Sequence, residues 1–312
     1  MHAEHLTRIE DPGPARVPAA ASVGFLLLGV IGIGGFLIGL FTGGDAARQQ
    51  TWMGFLVSYT FFFFLGLGAA SFLAINYVTG AKWYIVLKRP MEAVASFVYR
   101  GGFIFPLIAL LGTGYLYSWA GEGAKYPYEG TLKDAWLSPG AHVIKICIYV
   151  GLMTLVTFLL VKGSTENADN PEAFRKTQLR RAIVFLLIFA PVFSLFTNDV
   201  LLALEPKWYS TMWGVYCFSG ALLSAVALTM LIAFWLKGRT PFVRERQMYD
   251  LGTYVMAFAT FMAYIGFSQF MLIWYANIPE EIVYYTTRYE GGWVWLTLAL
   301  PLFKFIIPFF VL

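Results

Sequence analysis

Apolar residues gather in eight runs, at 21–42, 53–78, 93–118, 139–161, 182–204, 212–236, 251–275 and 293–312, separated by short polar stretches. Each run is about 20 residues or longer, the length a helix needs to cross ~30 Å of hydrocarbon. Polar and apolar residues do not alternate within the runs as they would in barrel strands, and only a helix satisfies all its own backbone groups in lipid. The pattern predicts an all-α, polytopic transmembrane helix bundle with eight visible spans. Residues 1–20 form a polar arm and 21–312 a single membrane domain. The longest polar stretches, Met1 to Pro18 and Lys162 to Arg180, are rich in Pro, Asn, Asp, Glu or Thr and read as loops. The first run is too long for a signal-peptide core, and the arm before it is acidic as well as basic, which predicts an uncleaved first span. The last run ends at Leu312 without a polar cap, an ending that favours a missing C-terminal portion.

Composition agrees: 59% of residues are hydrophobic and 13% charged, against about 25% charged in soluble domains. The net charge of +4 points to topology rather than to nucleic acid. Fourteen basic residues fall on the arm's side of the spans, among them Lys82, Lys88, Arg89, Arg175, Arg180, Arg181 and Arg244. Five fall on the opposite side: Arg48, Lys125, Lys133, Lys207 and Arg288. This bias predicts a cytoplasmic N-terminus. Trp52, Trp119, Trp136, Trp208, Trp213, Trp274 and Trp293 all fall near the outer span ends, where an aromatic belt is expected. Cys147 and Cys217 lie inside runs without CxxC spacing and read as buried small hydrophobes.

Gly35, Gly39 and Gly43, and likewise Gly66 and Ala70, recur every four residues and suit close helix contact. Pro106, Pro191, Pro301 and Pro308 should kink their spans. The Phe61 to Phe64 run reads as a lipid-facing or packing surface.

Ionisable residues within spans are the candidates for function. His142 and Lys145 enter from the outer end of the fourth run and share a helix face. Asp199 enters from the outer end of the fifth, at a depth close to that of Lys145, roughly 10 Å below the surface. An unpaired charge there costs at least ~2.5 kcal/mol, so a Lys145–Asp199 pair is expected, with His142 and Glu205 nearer the mouth. The pair is either a static helix lock or the outer end of a proton or quinol-linked path. Arg100 lies eight residues beyond Glu92, too far for a direct pair. It either snorkels or bonds a neighbouring helix, or it belongs to an inner half-path. Lys304, between Pro301 and Pro308, lies near mid-span. On the seventh run Tyr264 and Ser268 form an i, i+4 polar pair that suits a water chain or interhelical glue equally. One histidine in the spans cannot supply a bis-histidine haem, and the chain carries no Cys cluster, GxGxxG or Walker motif. Any redox centres must therefore reside in partners.

The segment from Asp199 through Glu205-Pro206, Trp208, Ser210-Thr211 and Gly214 to Tyr216 resembles the D-x-x-x-x-L-E-P-x-[WF]-x-S-T-x-x-G-V-Y signature of the NrfD-like subunits of alternative complex III. Tyr264 to Glu281, with Ser268, Gln269, Asn277, Pro279 and Glu280, resembles a second signature of that family and is closer to the ActF than to the ActC type. The first half of the chain is similar mainly in hydropathy. The resemblance implies a subunit of a respiratory quinol:electron-acceptor oxidoreductase in the bacterial cytoplasmic membrane. It also implies multihaem cytochrome c and iron–sulfur partner subunits, a paralogous NrfD-like subunit, and quinol or menaquinol in the complex. It implies ten spans, as two four-helix bundles with flanking helices, so that 53–204 forms the first bundle and 212–312 an incomplete second one.

Three functions then compete. The first is a protonic path through Asp199, Lys145, His142 and Lys304, with Arg100 and Glu92 toward the cytoplasm. The second is a structural anchor for redox partners. The third is a stand-alone transporter, which the signatures and the lack of clear inverted repeats weaken.

Overall fold

A computed structural model describes residues 19–120, 131–164, 171–237 and 243–311. The arm's basic residues, Lys125 and Arg239 lie outside these. Among the described residues seven helices are long and apolar enough to cross a membrane, or eight if a bent helix pair counts as one span. The chain is an all-α, polytopic membrane bundle. The face from which the first helix starts is called the arm face below, and the opposite one the far face.

Helices α1 (Ala19–Thr42) and α2 (Asp45–Val78) form a hairpin. A 3-10 turn at Trp83–Leu87 leads into α3 (Lys88–Gly101), which bends by 51° into α4 (Ile104–Leu116). The short α5 (Leu132–Trp136) precedes α6 (Pro139–Lys162) and α7 (Pro171–Val200). Then come α8 (Trp213–Lys237), α9 (Glu245–Ala276) and α10 (Pro279–Tyr289). The last span is α11 (Trp293–Pro301), a π segment at Leu302–Ile306, and α12 (Ile307–Val311).

Four spans, α2, α3–α4, α6 and α7, pack around one interior; α8 lies against α2 and α7, α9 against α8, and the last span against α9. The interior is filled with rings. Phe63, Phe105 and Phe196, from α2, α4 and α7, meet at 4.8 to 5.7 Å between centroids. Phe185, Phe189 and Phe193 stack along α7 at four-residue spacing. Lipid is as apolar as these side chains, so dense van der Waals packing, not dehydration, holds them together. At Gly68 a Cβ would stand 2.2 Å from the Ala221 carbonyl oxygen, and this approach seats α2 on α8.

Several expectations change. Residues 171–180 are helical, not loop: α7 starts with a proline, which presets the first-turn dihedral, and Glu172 faces the positive end of the helix dipole. The third span breaks at Gly101–Phe103 rather than at Pro106, because Pro106 lies in the first turn of α4, where an amide N–H has no helical partner to lose. Helix α7 continues through Pro191, and the paired Pro301 and Pro308 flank the π segment. The phenylalanine run divides by helical period: Phe61 and Phe62 face outward and Phe63 is fully buried. Cys147 points outward on α6 instead of inward, and Cys217 is half-buried. Three tryptophans assigned to the belt, Trp52, Trp119 and Trp208, are buried in the protein, because each indole has ring neighbours or a carbonyl to bond there.

Candidate functional site

Asp199 lies in the last turn of α7 on the far face and is 4% exposed. Its carboxylate accepts three hydrogen bonds. Lys145 Nζ and Trp136 Nε1 each donate to Oδ1 at 2.9 Å, and Tyr149 Oη donates to Oδ2 at 3.0 Å. Lys145 and Tyr149 are one helical turn apart on α6, which puts both on the face that meets α7. Trp136 comes from α5, and its indole N–H reaches inward while its ring stays half exposed. The Lys145 ammonium also donates to the Trp136 carbonyl oxygen at 2.8 Å and sits 4.1 Å from the centre of that ring. The expected Lys145–Asp199 pair is therefore formed. Two of its surrounding donors, Trp136 and Tyr149, were not among the predicted residues, although Tyr149 is legible as the i+4 partner of Lys145.

His142 is 1% exposed and packs edge-on against Tyr117 and Trp119, with centroids 4.9 and 5.4 Å away. Its Nδ1 is buried without a hydrogen-bond partner among the described residues. The two flanking rings tie the end of α4 to the end of α7, since Tyr117 Oη donates to the Val200 carbonyl and Trp119 Nε1 to that of Ala203. Glu205 is exposed at the far mouth.

A second charged group lies at the arm end of the same bundle. Glu92 is 6% exposed on α3. Its Oε2 accepts from Arg89 at 2.7 Å, and Lys88 Nζ stands 3.9 Å from its Oε1. Arg89 also reaches Ser164 on the turn after α6, at 3.3 Å. The ring-filled interior separates this group from Asp199. Arg100 is not part of it: the residue is exposed on the last turn of α3, with its guanidinium 5.9 Å from the Tyr99 ring centre.

Lys304 and Tyr264 line a different space, a cavity of about 710 Å³ between α8, α9, α10 and the last span. Ser268 is half-buried on α9. Most signature residues shape the chain here. Asn277 caps α9 in the left-handed conformation, at φ 49°, which Asn tolerates. Pro279 starts α10, and Glu280 faces its positive dipole end. Trp208 stacks on Tyr284 at 3.8 Å, the Ser210 carbonyl accepts from the Trp213 amide ahead of α8, Thr211 is exposed, and Gln269 lines the cavity.

The fold and this buried, fully bonded carboxylate define a multi-pass membrane protein with ionic groups at both ends of one four-span bundle. No family model matches the chain, and no curated protein matches it.

Proposed function

We propose that the chain is an ActF-like, NrfD-type membrane subunit of an alternative complex III, a quinol:electron-acceptor oxidoreductase. It would sit in the bacterial cytoplasmic membrane with the arm in the cytoplasm. Haem c and iron–sulfur clusters would reside in partner subunits on the far face, beside a paralogous NrfD-like subunit, and quinol or menaquinol would be the donor. In this reading the chain anchors those subunits and handles protons at Asp199.

The observation that carries it is a single carboxylate, shielded from lipid, joined to an ammonium and a phenol on one helix and an indole on another. An acid and a base held this close exchange a proton with little rearrangement. His142, with its free Nδ1, lies on the same helix as Lys145, one turn toward the far end. Glu92 is the corresponding acid at the arm end. The two form half-paths on either side of the phenylalanine-filled interior, and neither Arg100 nor Lys304 belongs to this route.

Asp199→Asn tests it. Asparagine keeps an acceptor for Lys145 and Trp136, and its amide can donate to the Tyr149 oxygen, so the helices stay docked while the acid is gone. The complex should purify through a tag on this chain with its haem spectrum intact, and with quinol oxidation or proton translocation in proteoliposomes reduced at least tenfold. Unchanged turnover and pumping would remove Asp199 from the mechanism.

One observation favours the plainer reading of an anchor: the three side-chain hydrogen bonds of Asp199 join α7 to α5 and α6, the geometry of a lock. In that case Asp199→Ala loses the partner subunits, and the assembled Asn variant turns over normally.

A further inference from the structure

Arg100 has no place in the protonic route. Among the described residues its guanidinium forms no ion pair and donates no hydrogen bond; it stands 5.9 Å from the centre of the Tyr99 ring. Its depth makes this costly. Arg100 follows Lys88, at the arm end of α3, by twelve residues, about 18 Å along the axis. Val98 lies beside Thr154 of α6, with the Thr154 hydroxyl 3.4 Å from its carbonyl oxygen, and Thr154 precedes the end of α6 by eight residues, about 12 Å. Both measures put Arg100 near mid-span, farther from the arm face than its side chain reaches. Ionisable residues at such depth face a bundle interior or a water-filled cavity, whereas Arg100 faces out. The end of α3 does not balance its charge. A helix dipole offers about half a unit charge, and carbonyls at the break are bonded by others: that of Gly101 accepts from Tyr59 Oη, and that of Val98 from the Gly102 amide.

The surface around Arg100 is the outer wall of the first bundle. Phe97 meets Phe62 of α2 at 6.2 Å and Tyr99 meets Phe158 of α6 at 5.4 Å, so Arg100 emerges between those two spans. Before and after it in the chain, Ala93, Phe103 and Leu107 are exposed. All four spans of this bundle are described, and α9 and the last span lie beyond α8. We propose that this wall docks a transmembrane helix of a second protein, one that carries an Asp or Glu at the depth of Arg100. The guanidinium fork matches a carboxylate in geometry as well as charge. A lipid phosphate stays at the membrane surface, outside the hydrocarbon. A second copy of this chain offers no such acid among the described residues: Glu92 and Asp199 are buried and bonded, and the others lie within two turns of a helix end or outside the helices. The inference does not rest on the redox reading.

The test places p-benzoylphenylalanine at position 103 of the full chain, in the membranes of the cells that make it. After irradiation the chain is purified through a tag, and the crosslinked peptides are sequenced by mass spectrometry. The expected product is a transmembrane peptide of another protein with an Asp or Glu inside its span. Arg100→Gln should lower its yield at least tenfold, as for one partner of a desolvated charge pair, and Arg100→Lys should lower it less. Arg100→Glu combined with a lysine at the partner's acid should restore the yield. The guanidinium touches no interior group, so Arg100→Gln should leave the melting curve of the purified chain unchanged. A crosslink to lipid alone, to another part of this chain, or to a peptide with no acid in the membrane would overturn the assignment, as would the absence of any product. So would a yield that Arg100→Gln leaves intact, or a lower melting temperature, which would place Arg100 in the fold itself.

Discussion

The Lys145 ammonium lies 2.9 Å from the Asp199 carboxylate and joins the first third of α6 to the last turn of α7, with side chains 12% and 5% exposed. The two residues do not depend on each other equally. Asp199 is the sole acceptor for Tyr149 Oη and Trp136 Nε1 in the cluster, whereas Lys145 keeps the Trp136 carbonyl and ring if Asp199 is lost. Asp199→Ala strands a cation and two donors and should cost about 3–5 kcal/mol. Lys145→Met leaves an acid that still has two donors and should cost about 1–3 kcal/mol. Thermal unfolding in detergent should rank them in that order, with the double variant less damaged than the sum. Equal or reversed losses would show that the lysine, not the acid, organises the cluster.

Trp136 reaches Asp199 from α5 through its indole N–H. Trp136→Phe keeps a ring for Lys145 and removes the N–H donor. The expected cost is about 1.5 kcal/mol in the unsubstituted protein. In the Asp199→Ala background the same change should cost almost nothing, because the acceptor is already absent. A thermodynamic cycle over the four proteins gives the coupling directly. Additive costs would mean that the indole works through packing alone.

Depth counting was enough to find Lys145–Asp199 in the sequence, because charges in hydrocarbon must find each other and helical rise is fixed. The spans were legible for the same reason, since lipid thickness sets their length. What escaped was every feature in which one residue type serves two environments. Trp136 and Trp119 carry the same belt signal as Trp274, yet the first two spend their indole N–H groups inside the protein and Trp274 stays exposed. The break at Gly101–Phe103 was hidden behind the stronger kink signal of Pro106. The Glu92 site was half visible: the missing pair with Arg100 followed from spacing, but Ser164, 75 residues away from Arg89 in sequence, did not.

The signature tryptophan holds α10 in place. The Tyr284 ring has Trp208 at 3.8 Å, nearly parallel, and the Arg288 guanidinium at 3.4 Å. Among the described residues the Tyr284 hydroxyl forms no hydrogen bond that contributes to this stack. Tyr284→Phe should leave unfolding unchanged within about 0.5 kcal/mol. Tyr284→Ala should lose the packed ring and a further ~0.5–1.5 kcal/mol of stacking. A red shift in tryptophan emission should accompany the alanine variant only, as Trp208 becomes solvated. Equal effects of the two changes would locate the role in the hydroxyl.

Small residues at helix contacts are not equivalent, and the backbone geometry ranks them. A Cβ at Gly68 would stand 2.2 Å from the Ala221 carbonyl oxygen and 2.6 Å from its carbon, atoms that cannot rotate away. At Gly66 the nearest obstacle is a Val98 methyl at 2.8 Å, and at Gly35 nothing lies within 4 Å. Gly68→Ala must therefore push α8 off α2, and should cost at least ~1–3 kcal/mol, the range for overpacking. Gly66→Ala asks only for a side-chain adjustment and should cost less. Gly35→Ala meets no clash and should be neutral, or stabilising by up to ~1 kcal/mol through helix propensity. The first run's glycine repeat is the more conspicuous in the sequence, so these three melting curves separate two accounts of how the spans associate. Backbone proximity predicts the order 68, 66, 35, and a general demand for small residues predicts that all three fall together.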